Sequence, residues 1–369
     1  MSFPTLTLTR SERRILGLLF RTGGATQNHI SEILDLAQQS ISRLITGLLD
    51  AGLARNADKI VAGRRGYPSA LIKLVPDFCF SFGISIAPNA LNVTLVDFAG
   101  AVRAERSRFF DSLPVGRTLD WIGAAMAELS DETAGRPIAG LGISLSGSFT
   151  GDGPGFNTPR ALEEWANIDV GERFSRHFGL PAWADNDGNA AALGESLIGV
   201  GRWARSFAYL YLGYGVGGGV VLDGEVWRGR WGNAGEFAGG LPGTIYPFPN
   251  LELLRHLLAR DGHVFETVEA MADQLDPAWP AVDDWIARVR DSLSIMVSNA
   301  TAILDLDAVV LGGRMPRSLA ARVIPAIEIF DQKRRGQSRP SAKIVPAEAE
   351  GNAAAIGAAM LPLKHRFFA

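Results

Sequence analysis

The sequence is poor in cysteine: of its 369 residues only Cys79 carries a thiol, and only five are histidine. A single cysteine excludes an intrachain disulfide and any multi-cysteine zinc cluster. Cys79 lies between two phenylalanines beside a strand-like run, where we expect a buried structural thiol. No metal site is predicted.

Long apolar runs are also lacking. No stretch reaches the roughly 18 apolar residues that a membrane span requires, and the N-terminus lacks the apolar core of a signal peptide. We therefore expect a soluble, cytoplasmic protein without a membrane partner. The 47% hydrophobic content and 42 glycines are typical of a compact α/β protein with many turns.

The net charge of −3 is small but unevenly distributed. Residues 1–76 hold ten basic and five acidic side chains, an excess of five positive charges, so the remainder carries an excess of eight negative charges. A basic segment on an acidic body indicates a polyanionic partner for that segment. A solvated charged surface is the alternative explanation.

Three helices are predicted in the first 75 residues. Apolar spacing indicates a helix over residues 11–21, a second helix capped by Thr26, and a third from about residue 37 to 51, which Gly52 ends. Apolar residues of the third helix recur at i, i+3, i+4, i+7 and i+8, so this stripe must face a core. They are Ile41, Leu44, Ile45, Leu48 and Leu49.

The opposite face of the third helix begins with short polar and amide side chains. A recognition helix meets base edges and phosphates with such side chains at its N-terminal end. A generic three-helix bundle would show the same apolar stripe and is the alternative. The residues predicted to contact DNA from this helix are Gln38, Gln39, Ser40, Ser42 and Arg43.

Two short strands, residues 53–55 and 70–74, flank a segment that reads GRRGYP over residues 63–68. Arg64 and Arg65 lie between glycines there and form a narrow cationic tip suited to a minor groove. With the preceding helices, this pattern predicts a winged helix-turn-helix domain that binds double-stranded DNA.

The body of the chain alternates apolar strands with helical segments, which predicts an α/β fold. The strands fall into an earlier and a later group, so a two-lobed fold with a cleft between the lobes is expected. The predicted strands are residues 80–86, 91–96, 138–145, 207–212, 219–222 and 308–311.

Five segments resemble those of the ROK family (repressors, open reading frames, kinases). The segment at residues 63–68 is similar to the family's GRRGRP-type wing, although Tyr67 stands where arginine is common. Four segments of the body resemble family motifs: residues 183–192 (WADNDGNAAA) the END-x-NAAA segment, 212–219 (LGYGVGGG) the LGTGVGGG loop, 232–236 (GNAGE) the G-x-AGE segment, and 311–313 (LGG) the late nucleotide-lobe turn.

The resemblance covers nearly the whole chain and implies its architecture. Residues 1–76 form the winged helix-turn-helix domain. A two-lobed actin-like ATPase/sugar-kinase fold of the ribonuclease H-like type follows, with lobes at 77–195 and 196–349. Residues 350–369 form a C-terminal helix that packs back on the N-terminal lobe.

The resemblance also implies a set of ligand-binding residues. Phosphoryl transfer to a sugar requires a carboxylate near the accepting hydroxyl, and Asp187 occupies the family's catalytic-base position. Asn186 beside it, Glu236, Glu252 and Asn157 match sugar-binding positions. For each, a helix cap or a solvent-facing side chain is the alternative.

The phosphate side departs from the family pattern. The first phosphate loop, D-x-G-G-T in the family, reads Ser85-Ile86-Ala87-Pro88-Asn89, so the acid and the glycines are missing and Pro88 removes an amide donor. Tyr214 replaces a small hydroxyl residue in the second loop. Residues 243–249 replace the family's zinc motif. No nucleotide cofactor, no metal and no catalysis are therefore expected.

Together these features predict a sequence-specific transcriptional regulator of carbohydrate-metabolism genes, most simply a repressor. A sugar or sugar phosphate in the kinase-like cleft would control a homodimer, or a higher homo-oligomer, on a palindromic operator. The alternative is an active ATP-dependent sugar kinase that carries a DNA-binding domain. An architectural protein without a ligand is a third alternative.

Overall fold

A computed structural model describes residues 6–57, 70–110, 112–151, 153–331, 335–349 and 351–368. Residues 58–69 include Arg64 and Arg65, so the predicted wing tip lies outside the described residues. In the part of the chain that is described, no helix is long and apolar enough to cross a membrane.

The N-terminal domain has three helices and a small sheet. The helices are α1 (Arg10–Thr22), α2 (Gln27–Leu34) and α3 (Gln38–Asp50). The strands β1 (Ala25–Thr26), β2 (Ala54–Ala57) and β3 (Leu71–Leu74) pair in the order β1-β3-β2. The side chain of Thr26 caps α2, as the sequence predicted, and accepts a hydrogen bond from His29 N.

The apolar stripe of α3 is confirmed. Ile41, Ile45 and Leu48 are buried, while Leu44 and Leu49 are half-buried at the margin of the stripe. The helix ends at Asp50, and Gly52 then takes a left-handed conformation (φ 70°) that redirects the chain toward β2.

The N-terminal lobe is built on a five-stranded sheet in the order β10-β7-β4-β5-β6, in which β10, β7 and β4 are parallel. A two-stranded ribbon of β8 and β9 projects from it. The elements are β4 (Phe80–Ala87), β5 (Ala90–Asp97), β6 (Val102–Phe109), α4 (Val115–Leu129), β7 (Ile138–Leu145), β8 (Ser148–Phe149), β9 (Phe156–Asn157), α5 (Val170–Phe178), β10 (Ala182–Asn186) and α6 (Asp187–Ile198).

The C-terminal lobe has a second five-stranded sheet in the order β13-β12-β11-β14-β15. The elements are β11 (Phe207–Leu212), β12 (Val216–Leu222), β13 (Glu225–Val226), α7 (Leu251–Arg260), α8 (Val268–Gln274), α9 (Pro280–Leu304), β14 (Ala308–Gly313), α10 (Arg317–Val323), β15 (Lys343–Pro346) and α11 (Ala353–Phe367). The predicted two-lobed organisation is confirmed.

Helix α11 returns to the N-terminal lobe and packs against α6 and the first sheet. At this contact, glycines allow the backbones of the facing elements to pack directly against each other. A Cβ at Gly142 of β7 would lie 1.7 Å from Ala358 O, and one at Gly357 would lie 1.7 Å from Ala190 O in α6. Since real Cβ contacts are far longer, only glycine fits at these two positions.

The N-terminal domain shares a hydrophobic cluster with the body. Phe20 of α1 packs against Phe368 with tilted rings whose centroids lie 4.8 Å apart, and Phe98 contacts Phe367 at 4.9 Å. Arg13 of α1 donates hydrogen bonds from Nη2 to three carbonyl oxygens at the end of α11, at 2.8–3.2 Å. The winged helix is therefore seated on the body by packing as well as by covalent connection.

Candidate ligand-binding cleft

A cavity of about 330 Å³ lies between the two lobes. The N-terminal lobe lines it with the turn after β4 and with residues 146–148 after β7. The C-terminal lobe contributes the glycine-rich turn at residues 214–217, and Asp187, Glu236, Glu269 and Arg314 supply its charged groups. The volume is in the range of small-molecule sites.

Asp187 is brought to the cavity by the parallel pairing of β10 with β7. Asn186 pairs with Leu145, so Asp187 and Ser146 leave the sheet side by side. Ser146 Oγ donates a hydrogen bond to Asp187 Oδ2 at 2.8 Å, and Gly188 N donates to Oδ1 at 2.9 Å. Burial raises the pKa of Asp187, and these two donors partly offset that rise.

Glu236 reaches the cavity from the loop after β13. Gly235 before it has φ 103°, and a Cβ there would lie 2.7 Å from Gly219 Cα, so the loop must pass tightly over β12. Burial raises the pKa of Glu236, and the negative charge of Asp187 raises it further. Two of the predicted ligand residues, Asp187 and Glu236, therefore line the same cavity.

The other three predicted ligand residues are not among those that line this cavity. Asn186 is buried and caps α6, since its Oδ1 accepts from Asn189 N at 2.6 Å. Asn157 is exposed at the end of β9. Glu252 pairs with Arg255 Nε at 2.8 Å on α7. Their assignment as ligand contacts stays a prediction.

Sequence reasoning missed Asp185, which joins the two lobes through Arg228. Its side chain is 2% exposed. Oδ1 accepts from Asn186 N and from Asn189 Nδ2, both at 2.9 Å, while Oδ2 accepts from Arg228 Nε at 2.9 Å and Nη2 at 2.6 Å. Strand β10 was itself not predicted, so the sequence carried no local signal for this buried carboxylate and its partner.

A second inter-lobe contact comes from Asn233. Its side-chain amide bonds both backbone groups of Phe149: Phe149 N donates to Oδ1 at 2.7 Å, and Nδ2 donates to Phe149 O at 2.9 Å. The loop that carries Glu236 is therefore fastened to the ribbon of the N-terminal lobe. Relative movement of the lobes must strain or break these bonds.

The turn between β4 and β5 is tight and free of glycine. Ala87 pairs with Ala90, which leaves Pro88 and Asn89 as a two-residue turn with Asn89 at φ 66°. Ala87 and Pro88 both face the cavity. Tyr214, in the second turn, also lines it and is 46% exposed.

Arg314 was also missed by sequence reasoning. It follows β14 directly, lines the cavity, and has a side chain that is 19% exposed. Its Nε lies 3.4 Å from Glu269 Oε1, and that Nε makes no hydrogen bond. The signal in the sequence was a charged residue immediately after the Gly312-Gly313 turn at a strand end.

No group of three or more histidine, cysteine or acidic side chains with metal-binding geometry occurs in the described ranges. Cys79 is buried and burial raises the pKa of its thiol.

The predicted DNA-contacting residues of α3 lie on one exposed face of the helix. Gln38, Gln39, Ser40, Ser42 and Arg43 are all exposed, and Gln38 Nε2 donates to Asn28 Oδ1 of α2 at 3.0 Å. The remaining four side chains make no hydrogen bond or ion pair with the described residues. They are therefore free to meet a partner.

Comparisons with known proteins agree with both halves of this architecture. Residues 81–242 match the ROK family, and residues 6–65 match the MarR family. Protein y4fQ of Sinorhizobium fredii is 30% identical over 98% of this chain and 92% of its own length. The xylose repressor of Caldicellulosiruptor bescii is 26% identical, and the match spans 57% of this chain but only 53% of the repressor.

Two solved structures show the same fold. A ROK family transcriptional regulator, a homologue of the Escherichia coli Mlc protein, superposes with a TM-score of 0.65 at 21% identity, covering 97% of this chain and 96% of that one. A ROK glucokinase from Streptomyces griseus, in complex with glucose and AMPPNP, gives 0.61 at 22% identity, covering 76% and 98%. The chain belongs to the ROK family and joins a MarR-type winged helix-turn-helix domain to a two-lobed ROK domain.

Proposed function

We propose that this protein is a sequence-specific DNA-binding repressor of carbohydrate-metabolism genes, controlled by a sugar-type ligand in the inter-lobe cleft. The observation that carries the DNA-binding half is the exposed face of α3. Its polar side chains, apart from Gln38, make no hydrogen bond or ion pair with the described residues, while the opposite face is buried. Similarity to the xylose repressor supports the carbohydrate assignment.

Ligand control is supported by the composition of the cavity. Asp187 and Glu236 accept hydrogen bonds, and Ser146 and Ser148 supply hydroxyl groups, so a polyhydroxylated molecule finds complementary partners. The cavity lies between lobes that are fastened by the Asp185–Arg228 and Asn233–Phe149 contacts. A ligand that binds one lobe arrangement more tightly than another shifts the population between them.

Loss of catalysis is supported by the turn at Pro88 and by Tyr214. A phosphate loop binds nucleotide with backbone N–H groups at glycines, whereas Pro88 has no N–H and Ala87 carries a Cβ. Tyr214 places a ring in the second turn. Removing such contacts to the transferred phosphoryl group costs orders of magnitude in rate.

A sugar kinase is the second candidate, because Asp187 keeps the surroundings of a general base. It lies in the cavity, bonds Ser146 Oγ, and has a pKa raised by burial toward the working pH. A coupled assay with Mg-ATP and a sugar panel separates the candidates. Turnover that Asp187→Asn abolishes would establish the kinase and refute the loss of catalysis.

The DNA-binding proposal is tested by fluorescence anisotropy with operator DNA selected from genomic fragments. Replacing Arg64 and Arg65 together with alanine should reduce the slope of log K against log salt by about two, because each phosphate contact contributes about 0.9. Arg43→Ala should weaken binding from α3. Arg290→Ala on the exposed face of α9 is the matched control, and equal effects of all these variants would refute the assignment of the interface.

Homodimerisation on a palindromic operator completes the proposal. A two-fold dimer presents two recognition helices to half-sites about one helical turn apart. Sedimentation of the protein alone and with a single palindromic duplex measures the stoichiometry. One protomer per full operator would contradict the dimer.

A further inference from the structure

Arg314 is the one positively charged side chain among the described residues that line the cavity. Its Nε is buried from solvent and makes no hydrogen bond. An arginine fork offers five donors, so leaving one of them unpaired in a buried place is costly unless a partner arrives. The Arg314 side chain is 19% exposed and lines the cavity, so an anionic group bound in the cavity can approach the guanidinium.

Glu269 offsets the positive charge of Arg314 but accepts no hydrogen bond from its Nε. The closest approach, Nε to Oε1, is 3.4 Å, and it is an ion pair without a hydrogen bond. Glu269 lies in the first turn of α8, near the helix N-terminus, and its side chain is 14% exposed. The Glu269 carboxylate is therefore an anionic neighbour of the guanidinium that is not hydrogen-bonded to its Nε.

Carboxyl groups and a guanidinium line the same cavity. Asp187 and Glu236 supply carboxyl groups, and burial raises the pKa of both. Arg314 is close enough to Asp187 to oppose that rise. A ligand in the cavity can therefore meet hydrogen-bonding carboxyl groups and a cation together.

We propose that Arg314 binds an anionic substituent of the sugar-type ligand and that Glu269 occupies its place when the cleft holds no ligand. The inference rests on the ligand control proposed above and narrows it to an acidic sugar. A phosphate monoester and a carboxylate share this chemistry, because both accept paired hydrogen bonds from a guanidinium. Displaced from Arg314, Glu269 would release the start of α8, which gives the ligand a means to alter the C-terminal lobe.

The test is calorimetry of the full chain with glucose, mannose and galactose, each compared with its 6-phosphate and its uronate. We expect at least one acidic form to bind about tenfold or more tighter than its neutral parent, as a charge-assisted hydrogen bond provides. The phosphate and uronate arms show which substituent is bound.

Two variants of opposite sign make the test specific. Arg314→Met should abolish the preference for the acidic form over its neutral parent. Glu269→Gln should increase affinity for the acidic form, because the competing charge is removed. Arg288→Met is the control, since Arg288 pairs with Asp284 on the exposed face of α9 and does not line the cavity. Thermal unfolding of each variant shows that it is folded.

The outcomes separate this inference from the function on which it rests. Tighter binding of neutral sugars by the wild type, or an acidic preference that survives Arg314→Met, overturns the role of Arg314 and leaves ligand control intact. If none of the sugars binds the protein and none dissociates it from DNA, ligand control itself is overturned.

Discussion

Replacing Gly357 with alanine should push α11 away from α6, the helix that begins at Asp187 in the cavity. A Cβ at this position would lie 1.7 Å from Ala190 O, a backbone atom that no rotamer change can move. A carbon atom and a carbonyl oxygen approach to about 3.3 Å, so α11 must move away from α6 by more than about 1 Å. Overpacking in a core costs about 1–3 kcal/mol, and contact between two backbones puts Gly357→Ala at the upper end, about 3 kcal/mol.

Urea unfolding of the full chain measures this loss, with hydrogen exchange used to localise it to α6 and α11. Gly116→Ala is the matched control: Gly116 lies in α4, and a Cβ there meets nothing within 4 Å. Alanine is favoured over glycine inside a helix by about 0.5–1 kcal/mol, and Gly116 is only the second residue of α4, so the control should change stability by less than this amount. A Gly357→Ala protein as stable as the wild type would refute the close packing of the two helices.

Three further predictions concern the contacts around the end of α11. Arg13→Met should cost about 2 kcal/mol, because charged hydrogen bonds to three helix-terminal carbonyls are lost; unchanged hydrogen-exchange protection of α1 would contradict this. Asp185→Asn should cost about 2 kcal/mol, less than for a fully buried pair because Arg228 is 41% exposed; a double-mutant cycle with Arg228→Met that shows no coupling would refute it. Burial and neighbouring cations lower the pKa of His365, which stacks on Trp183, so the folded state binds fewer protons and loses stability as pH falls through about 6.5. The His365→Phe variant should lose less between pH 7.5 and pH 5.5 than the wild type, and equal changes in urea midpoint would count against this assignment.

Strands that are buried and mostly apolar were predictable from the sequence, and exposed or more polar strands were not. Strands β4, β7 and β11 are buried almost throughout, and only serine and glycine interrupt the apolar residues of β4 and β7. Strand β6 was missed because it lies at the sheet edge with nearly every side chain exposed, so burial leaves no pattern in its residues. Strand β10 was missed because its five residues include two that are polar.

Residues of the site were predictable from the sequence only where they lie within a recognisable local motif. Asp187 and Glu236 lie in segments with a recognisable motif, and the structure brings them into one cavity. The pairing of Asp185 with Arg228 joins residues 43 positions apart, so no local pattern announces it. The pairing of Glu252 with Arg255, by contrast, follows from i,i+3 spacing on a helix and was available from the sequence.

The seating of the winged helix decides how a signal from the cleft would reach DNA. A DNA-binding domain on a flexible linker would not change its orientation when the lobes of the cleft move, because a flexible linker does not couple the two motions. Here α1 shares a hydrophobic cluster with α11, and α11 packs backbone to backbone on α6, whose first residue is Asp187 in the cavity. Any displacement of α6 must therefore move α11 and the seat of α1 with it, since interiors at crystalline density do not absorb such shifts. A ligand needs only about 1.4 kcal/mol of preference for one lobe arrangement to change the population tenfold. The proposed control thus depends on the stiffness of the α6–α11 contact, which is the property that Gly357→Ala perturbs.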